Sequence, residues 1–296
     1  MRTGEARLVA TARKLLPPAV AARWIALIRP ALRLSPAYGN DTQVGQLGGV
    51  PVLPEGMGWP VWEGQGPLNF VASIDCGRLP RAVLDLPLPT AGTLNFFFFD
   101  DEPGTPGGRE FWRKVGGWEP ESLVRGSRVI YTPTTVPASE RSTPGEIAPY
   151  DFVPLTAKPT MTGPDWLHPD FRAACADLSE SDNAFAADWA NRDALTGALH
   201  ELTQPPRHQL GGHALPVQVA VELDVARADL GIRSGHREPS PDTVNREASR
   251  WTLLAQIDFD GTAEMAVSDL GRLYWLIRTE DLAARKFWAA SFIRQE

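Results

Sequence analysis

The sequence predicts an α+β fold: duplicated β-rich units with antiparallel sheets, related by a pseudo-twofold, with N-terminal and inter-repeat helices. Three recurrences carry that expectation. Gln46-Leu47-Gly48-Gly49 returns as Gln209-Leu210-Gly211-Gly212. The apolar run ending in Ile74-Asp75 returns as the run ending in Ile257-Asp258. Gly92-Thr93-Leu94 and the phenylalanines after it return as Gly271-Arg272-Leu273-Tyr274-Trp275-Leu276-Ile277. The order is the same both times, as expected when one supersecondary unit is used twice and each copy buries a face against the other. Parallel βαβ winding is disfavoured, because the linker within each strand pair is rich in Pro and Leu rather than a crossover helix of about a dozen residues.

The chain has 296 residues, 43% of them hydrophobic. At roughly 75% surface burial for this size, that suffices for a large core without metals or disulfides. A single domain over residues 41–296 is expected, after an N-terminal helical extension over 1–40. Its first copy covers about 46–135, a helical and loop connection 136–207, and the second copy 208–296. The formal charge is −7, from 29 basic and 36 acidic residues, and no basic block occurs. Such a balance argues against nucleic acid as a partner. The two cysteines, Cys76 and Cys175, lie far apart and outside any CxxC pair. They read as small apolar residues in a reducing cytoplasm.

Taken in order, the first segment carries Arg2, Arg7, Arg13, Lys14, Arg23, Arg29 and Arg33 against the single acid Glu5. Pro17-Pro18, Arg23 and Arg29-Pro30 interrupt its apolar residues, so no transmembrane span is expected. Two amphipathic helices split at the prolines are expected, with membrane-surface contact by the basic helix or a targeting role as alternatives. A loop rich in Gly and Pro follows over residues 47–60. Leu68 to Ile74 and Leu94 to Phe99 predict central strands, the second covered on both faces because it lacks alternation. From Glu102 to about Pro169 the chain reads as surface loop around one strand, Arg128 to Tyr131. Asp182 to Leu202 predicts one helix capped by Ser181. Gly231 to Ser249 reads as a long flexible insertion. Trp251 to Ile257 and Leu273 to Ile277 predict the second strand pair. Thr279 is placed to cap a short helix through about Arg285, and Phe287 to Ile293 to return as an edge strand.

These residues also carry a family resemblance. Gly48-Gly49-x-Pro51-x-Leu53-Pro54 with Trp59-Pro60, Gly92-x-Leu94-x-Phe96-Phe97, and His208-Gln209-Leu210-Gly211-Gly212 with Gln218 come first. Trp251-x-Leu253-Leu254-x-Gln256-Ile257-Asp258 and Gly271-x-Leu273-Tyr274-Trp275-x-Ile277 with Asp281-Leu282 follow. Together, from about Gln46 to the C-terminus, they resemble the YwqG-like family (DUF1963), a domain of unknown function. In that family a Trp-Gly-Asp element usually precedes the final Gly-x-Leu strand, where this chain has Val267-Ser268-Asp269. The resemblance implies a bacterial, cytoplasmic protein and names no activity.

The chain has no GxSxG elbow, no GxxxxGK loop, no dinucleotide GxGxxG after a strand, no HExxH and no CxxC, which lowers the expectation of hydrolase, kinase or dehydrogenase chemistry. No cofactor is expected. His208 and His213 flank Gly211-Gly212, and with Asp258 and Asp260 as carboxylate partners they form the one candidate metal set, since two imidazoles and a carboxylate can hold a divalent ion. The competing reading makes them surface histidines, with Asp258 and Asp75 accepting backbone hydrogen bonds in the turns after their strands. Both Gly-Gly pairs read as turns that need positive φ, with an anion-binding loop as the alternative. Trp189, Trp251 and Trp275 read as packing. Trp59, Trp62, Trp112 and Trp118 read either as local loop packing or as the lining of a groove for a peptide or small ligand, with Gln218 and Gln256 giving polar contacts there. Two functional expectations stand. One is a non-catalytic binding module that presents a cleft between the copies to a protein or peptide partner; the other is an enzyme of unrecognised type, with or without a metal, using His208, His213 and Asp258.

Overall fold

The structure, a computed structural model, describes residues 3–100, 126–232, 239–265 and 271–295. Helices α1 (Thr3–Leu15) and α2 (Pro18–Ala26) meet at Pro17-Pro18. Proline cannot continue α1, yet it suits the first turn of α2, where its missing N–H is not needed. Leu8, Ala12, Leu16, Val20 and Trp24 share one face and pack with Trp166, Phe171, Leu195 and Leu199. Arg7, Arg13 and Lys14 stay exposed.

Residues 29–36, placed by the sequence in the helical extension, instead form strand β1 (Arg29–Pro36). Leu32 and Leu34 are buried on either side of Arg33, which is the period of a strand. Among the described residues thirteen further strands follow: β2 (Gly45–Leu47), β3 (Val52–Pro54), β4 (Val61–Trp62), β5 (Gly66–Pro67), β6 (Asn69–Asp75), β7 (Thr93–Phe98), β8 (Ser127–Thr132), β9 (Ala138–Glu140), β10 (Val153–Thr162), β11 (Gln209–Leu210), β12 (Trp251–Asp258), β13 (Arg272–Arg278) and β14 (Ser291–Gln295). Ten strands form one sheet in the order β14-β13-β12-β11-β1-β10-β2-β6-β7-β8. Every pairing in it is antiparallel, and the sheet curls almost into a barrel.

Outward from the central β1–β10 pair, β11, β12, β13 and β14 follow on one side and β2, β6, β7 and β8 on the other. Gln46 and Leu47 lie opposite Ser73 and Ala72, and Gln209 and Leu210 lie opposite Gln256 and Ala255. The register shifts between Phe70 and Ala72 in one pair and between Leu253 and Ala255 in the other. The inner face buries Leu32, Leu34, Leu94, Phe96, Phe98, Leu254, Trp275 and Phe292 in one cluster, which joins strands from both ends of the sheet. Each large ring so buried contributes about 1.5–3 kcal/mol over its exposed state.

Among the described residues the remaining α-helices are α3 (Pro169–Cys175), α4 (Glu180–Ala187), α5 (Trp189–Leu202), α6 (Val221–Asp229), α7 (Pro241–Ala248) and α8 (Thr279–Ala283). Helix α6 lays Val221 and Val225 on the outer face of β12, β13 and β14, against Trp251, Leu253, Tyr274, Leu276 and Ile293. On the other half, Leu53, Trp62, Leu68, Phe70 and Phe97 form the outer layer.

Several local expectations need correction. The single helix expected over 182–202 is two, because Asp188 leaves helical φ/ψ and caps α5 through a hydrogen bond from the Ala190 N–H. Ser179, not Ser181, caps α4 by accepting from the Asp182 N–H. The stretch read as a flexible insertion over 231–249 contains α7, capped by Ser240. Strand β10 lies in the stretch read as surface loop, and Pro154 and Pro159 within it are what argued against a strand. Thr279 begins α8 rather than capping it. Among the described residues no helix is long and apolar enough to cross a membrane. Trp112, Trp118 and the Val267-Ser268-Asp269 segment lie outside the described residues.

Candidate functional site

Both Gly-Gly pairs are turns with positive φ throughout: +51° and +71° at Gly48 and Gly49, +65° and +69° at Gly211 and Gly212. In each, the preceding glutamine folds back onto the loop. The Gln46 side-chain amide donates to the Gly48 and Val50 carbonyls, and the Gln209 amide to those of Gly211 and His213. Such a turn is locally closed and hydrogen-bonded, so it frees the flanking residues to point elsewhere.

Next to the second turn lies a buried polar network. Arg272, 3% exposed, donates from Nε to Asp258 Oδ1 at 2.5 Å and from Nη1 to the Leu215 carbonyl. Tyr274 Oη donates to that same carbonyl at 3.1 Å, and burial raises its phenol above the ordinary range. The Arg207 N–H donates to Asp258 Oδ2 at 2.7 Å. Gln256 accepts from the Leu215 N–H and donates to the Arg207 carbonyl, tying both loops to β12. His208 is fully buried; the Asp258 N–H donates to its Nδ1, so the ring proton sits on Nε2 and is donated to Asp260 Oδ2 at 2.9 Å. That bond, with those from Thr262, holds the Asp260 carboxyl well below the usual range.

Arg207, Asp258, Asp260, Gly261, Gly271 and Arg272 border a cleft of about 260 Å³ above this network. Arg33 lies within electrostatic reach of Asp258, Arg272 and Arg207, and burial, the largest influence, lowers its guanidinium to about 10. Its Nη1 is buried with no hydrogen-bond partner. Arg207 donates from Nε to the Thr203 carbonyl. Its terminal nitrogens, like Nη2 of Arg272, have no acceptor among the described residues.

The residues singled out from sequence are distributed over four places. His208, Gln256 and Asp258 belong to the network just described. His213, two per cent exposed, donates from Nε2 to the Leu27 carbonyl at 2.7 Å and leans edge-on against His168. Both histidines are therefore buried, not on the surface, because β1, β12 and α2 close over the turn from either side. No group of three or more His, Cys, Asp or Glu side chains placed to hold a metal ion occurs among the described residues. Asp75 does accept in its following turn, from the Gly77 N–H at 2.8 Å, while Asp258 is turned instead to Arg207 and Arg272.

Trp59 and Trp62 pack edge-on against Phe97 and Phe99, each with ring centroids at 5.5 Å, and Trp59 donates to the Leu68 carbonyl. Gln218 is exposed; its N–H donates to Gln295 Oε1 and its carbonyl accepts from Arg192. Trp189, expected to pack, is 65% exposed and carries the Arg192 guanidinium over its ring at 3.7 Å. The site residues missed from sequence are Arg207 and Arg272; Asp260, expected as a second carboxylate of the metal set, instead accepts from His208. The signal available was that Arg272 stands between Gly271 and Leu273 where the first recurrence has Thr93, a charge inside an otherwise apolar strand.

The family model described as Domain of unknown function (DUF1963) matches residues 45–295. The chain belongs to that family. A search of the curated proteins finds no match.

Proposed function

We propose that this member of the family is a non-catalytic binding module, and that the Arg207–Arg272 cleft takes a carboxylate borne by a protein or peptide partner. One observation carries the reading. Every carboxylate oxygen of Asp258 and Asp260 already accepts a hydrogen bond from the chain, whereas Nη1 and Nη2 of Arg207 and Nη2 of Arg272 have no acceptor among the described residues. The local balance favours an anion, with Arg33, Arg207 and Arg272 set against Asp258 and Asp260. A guanidinium fork matches a carboxylate in two parallel hydrogen bonds, and each charge-assisted bond is worth about 1.5–3 kcal/mol. His208 and Gln256 enter as positioning residues. A cleft of about 260 Å³ suits the end of a peptide better than a large cofactor.

The same reading treats the sheet as two copies of one unit about a pseudo-twofold. The matching strand order and registers support it. So do paired contacts: Asn95 Nδ2 donates to the Val52 carbonyl, and Tyr274 Oη to the Leu215 carbonyl. Gly45, Ser73 and Thr93 stand in the first unit where His208, Gln256 and Arg272 stand in the second. The first unit thus forms its turn and strands without these groups. A buried ion pair that the fold does not need costs desolvation for no structural return, which favours a binding role. A cytoplasmic location is part of the proposal, supported by the two free, buried cysteines.

The test is an NMR titration of isotope-labelled protein with trialanine bearing a free C-terminal carboxylate, and with its amidated form. The free acid shifts the amides of Arg207, Gly261 and Gly271, and Arg207→Gln weakens it at least tenfold. Equal shifts with the amidated peptide, or none with either, overturn the proposal.

A further inference from the structure

A second cavity, of about 100 Å³, opens between α6, β12 and the loop before β7, and it shares no lining residue with the Arg207–Arg272 cleft. Its polar lining includes His168, Asp170, Glu222 and Thr252. Leu86, Pro87, Leu253 and Leu282 supply apolar wall, and Arg29 and Asp85, ion-paired at 2.7 Å and about one third exposed, stand where it meets solvent. The protein leaves the interior polar groups largely unused. Thr252 Oγ1 is buried without a hydrogen-bond partner. Glu222, 3% exposed, has His168 Nε2 at 3.7 Å from Oε1, beyond hydrogen-bond length. His168, 6% exposed, accepts the Asp170 N–H at Nδ1, so its proton is on Nε2, the nitrogen nearer Glu222.

Burial fixes the charge states in the same sense. It holds the Glu222 carboxyl up at about 8, with Asp165, Asp170 and Asp224 adding to the effect, and it pushes His168 well below its ordinary value. At neutral pH Glu222, His168 and Thr252 therefore present a carboxylic acid with one donor and one acceptor, an imidazole N–H and a hydroxyl, these three uncharged beside the Arg29–Asp85 ion pair and Asp170. Each buried polar group left without a partner costs about 1–3 kcal/mol, so a ligand that satisfies three at once is strongly favoured over an apolar one.

We propose that this cavity, built from His168, Glu222 and Thr252, binds a small neutral molecule bearing a primary amide. A carboxylic acid and a primary amide pair in a planar ring of two hydrogen bonds, the acid O–H to the amide oxygen and an amide N–H to the acid oxygen. The second lone pair of the amide oxygen then accepts from His168 Nε2, and the remaining amide N–H reaches Thr252 Oγ1. A charged ligand does not fit this pattern: an ammonium faces the His168 donor, and a carboxylate faces Glu222 and its acidic neighbours. The apolar wall leaves room for one short alkyl group beyond the amide. Because the two cavities are separate, this inference stands or falls independently of the carboxylate-binding reading.

The probe is acetamide, followed in solution by NMR of the histidine side-chain nitrogens, with methylammonium and acetate as charged controls. Acetamide shifts His168 Nε2 saturably, and neither control does. Thr252→Val keeps the shape and weakens acetamide about fivefold, the value of one hydrogen bond, while Arg207→Gln leaves it unchanged. No saturable shift at His168, equal shifts with methylammonium, or a Thr252→Val variant that binds acetamide as the parent does would each overturn the proposal.

Discussion

Phe96 and Trp275 meet edge to face inside the curled sheet, with ring centroids 5.2 Å apart and planes at 62°. Each is the fourth residue after its Gly-x-Leu glycine, Gly92 or Gly271. They come from β7 and β13, near opposite ends of the ten-strand order, so this contact is where the sheet closes on itself. Trp275 also meets Phe292 at 5.3 Å, and Phe98 meets Phe292 at 5.6 Å, which makes the closure a cluster of rings. Truncating either residue to alanine removes packing on both ends of the sheet. Each single variant loses about 3–5 kcal/mol, and the double-mutant cycle gives a coupling of about 0.5–1.5 kcal/mol, both read from urea unfolding.

Arg272 and Asp258 are both buried, and their pairing is what makes that burial tolerable. Asp258→Ala strands a guanidinium beneath the sheet's outer layer. It destabilises the protein by about 3–5 kcal/mol in denaturant unfolding, whereas replacing both residues with apolar ones of similar size costs much less. Equal losses for the single and double variants would show that the pair does not act as a unit.

Glu222 and His213 make stability depend on pH in opposite directions. Burial raises the folded Glu222 value to about 8 from its usual 4.5, so the folded state holds an extra proton between those values and stability falls as pH rises through them. Burial lowers His213 from 6.5 to about 4, so the unfolded state holds the extra proton there and stability falls as pH drops below 6.5. Asp224, raised to about 7 by burial, adds to the first trend. Glu222→Gln therefore gains on the parent as pH is raised from about 5 to 8, at up to about 1.4 kcal/mol per pH unit. Parallel stability curves for the two proteins would contradict this.

The glycine turns differ in how much space they leave. A Cβ on Gly48 would lie 2.2 Å from the Asp151 carbonyl oxygen, whereas on Gly211 its nearest neighbour is at 3.5 Å. Both hold positive φ. Gly211→Ala thus costs only the left-handed strain of about 1–2 kcal/mol, and Gly48→Ala costs more, because backbone must move. Thermal unfolding of the two variants ranks them.

Trp189 lies on the surface, and its contact with Arg192 is a cation–π pair in water. Trp189→Ala changes unfolding stability by less than about 1 kcal/mol. A larger loss would mean that the ring is buried against another part of the molecule.

The strands around Phe70, Phe96, Leu253 and Trp275 were legible because their apolar runs are short, uninterrupted and bounded by glycine or aspartate. The Gly-Gly turns were legible because positive φ is a local demand that glycine meets most easily. Strands β1 and β10 were hidden by chemistry that points elsewhere: arginines around the apolar residues of β1, and Pro154 and Pro159 inside β10. The candidate site was half visible. His208, Asp258 and Asp260 stood out as a candidate metal set and Gln256 by its place in the repeat, whereas Arg207 and Arg272 join them only once β12 has met its neighbours.

By itself the sequence determined the periodic elements, the tight turns and the family, since each of these is written in residues near one another along the chain. Only the tertiary structure decided that β1 and β10 lie at the middle of the sheet, and that His208 reaches an aspartate 52 positions away while His213 turns to a carbonyl on the far side of the turn. Strand partners and burial are set by what the rest of the chain packs against each segment. A histidine's neighbours, and hence its chemistry, are therefore fixed only when the sheet closes.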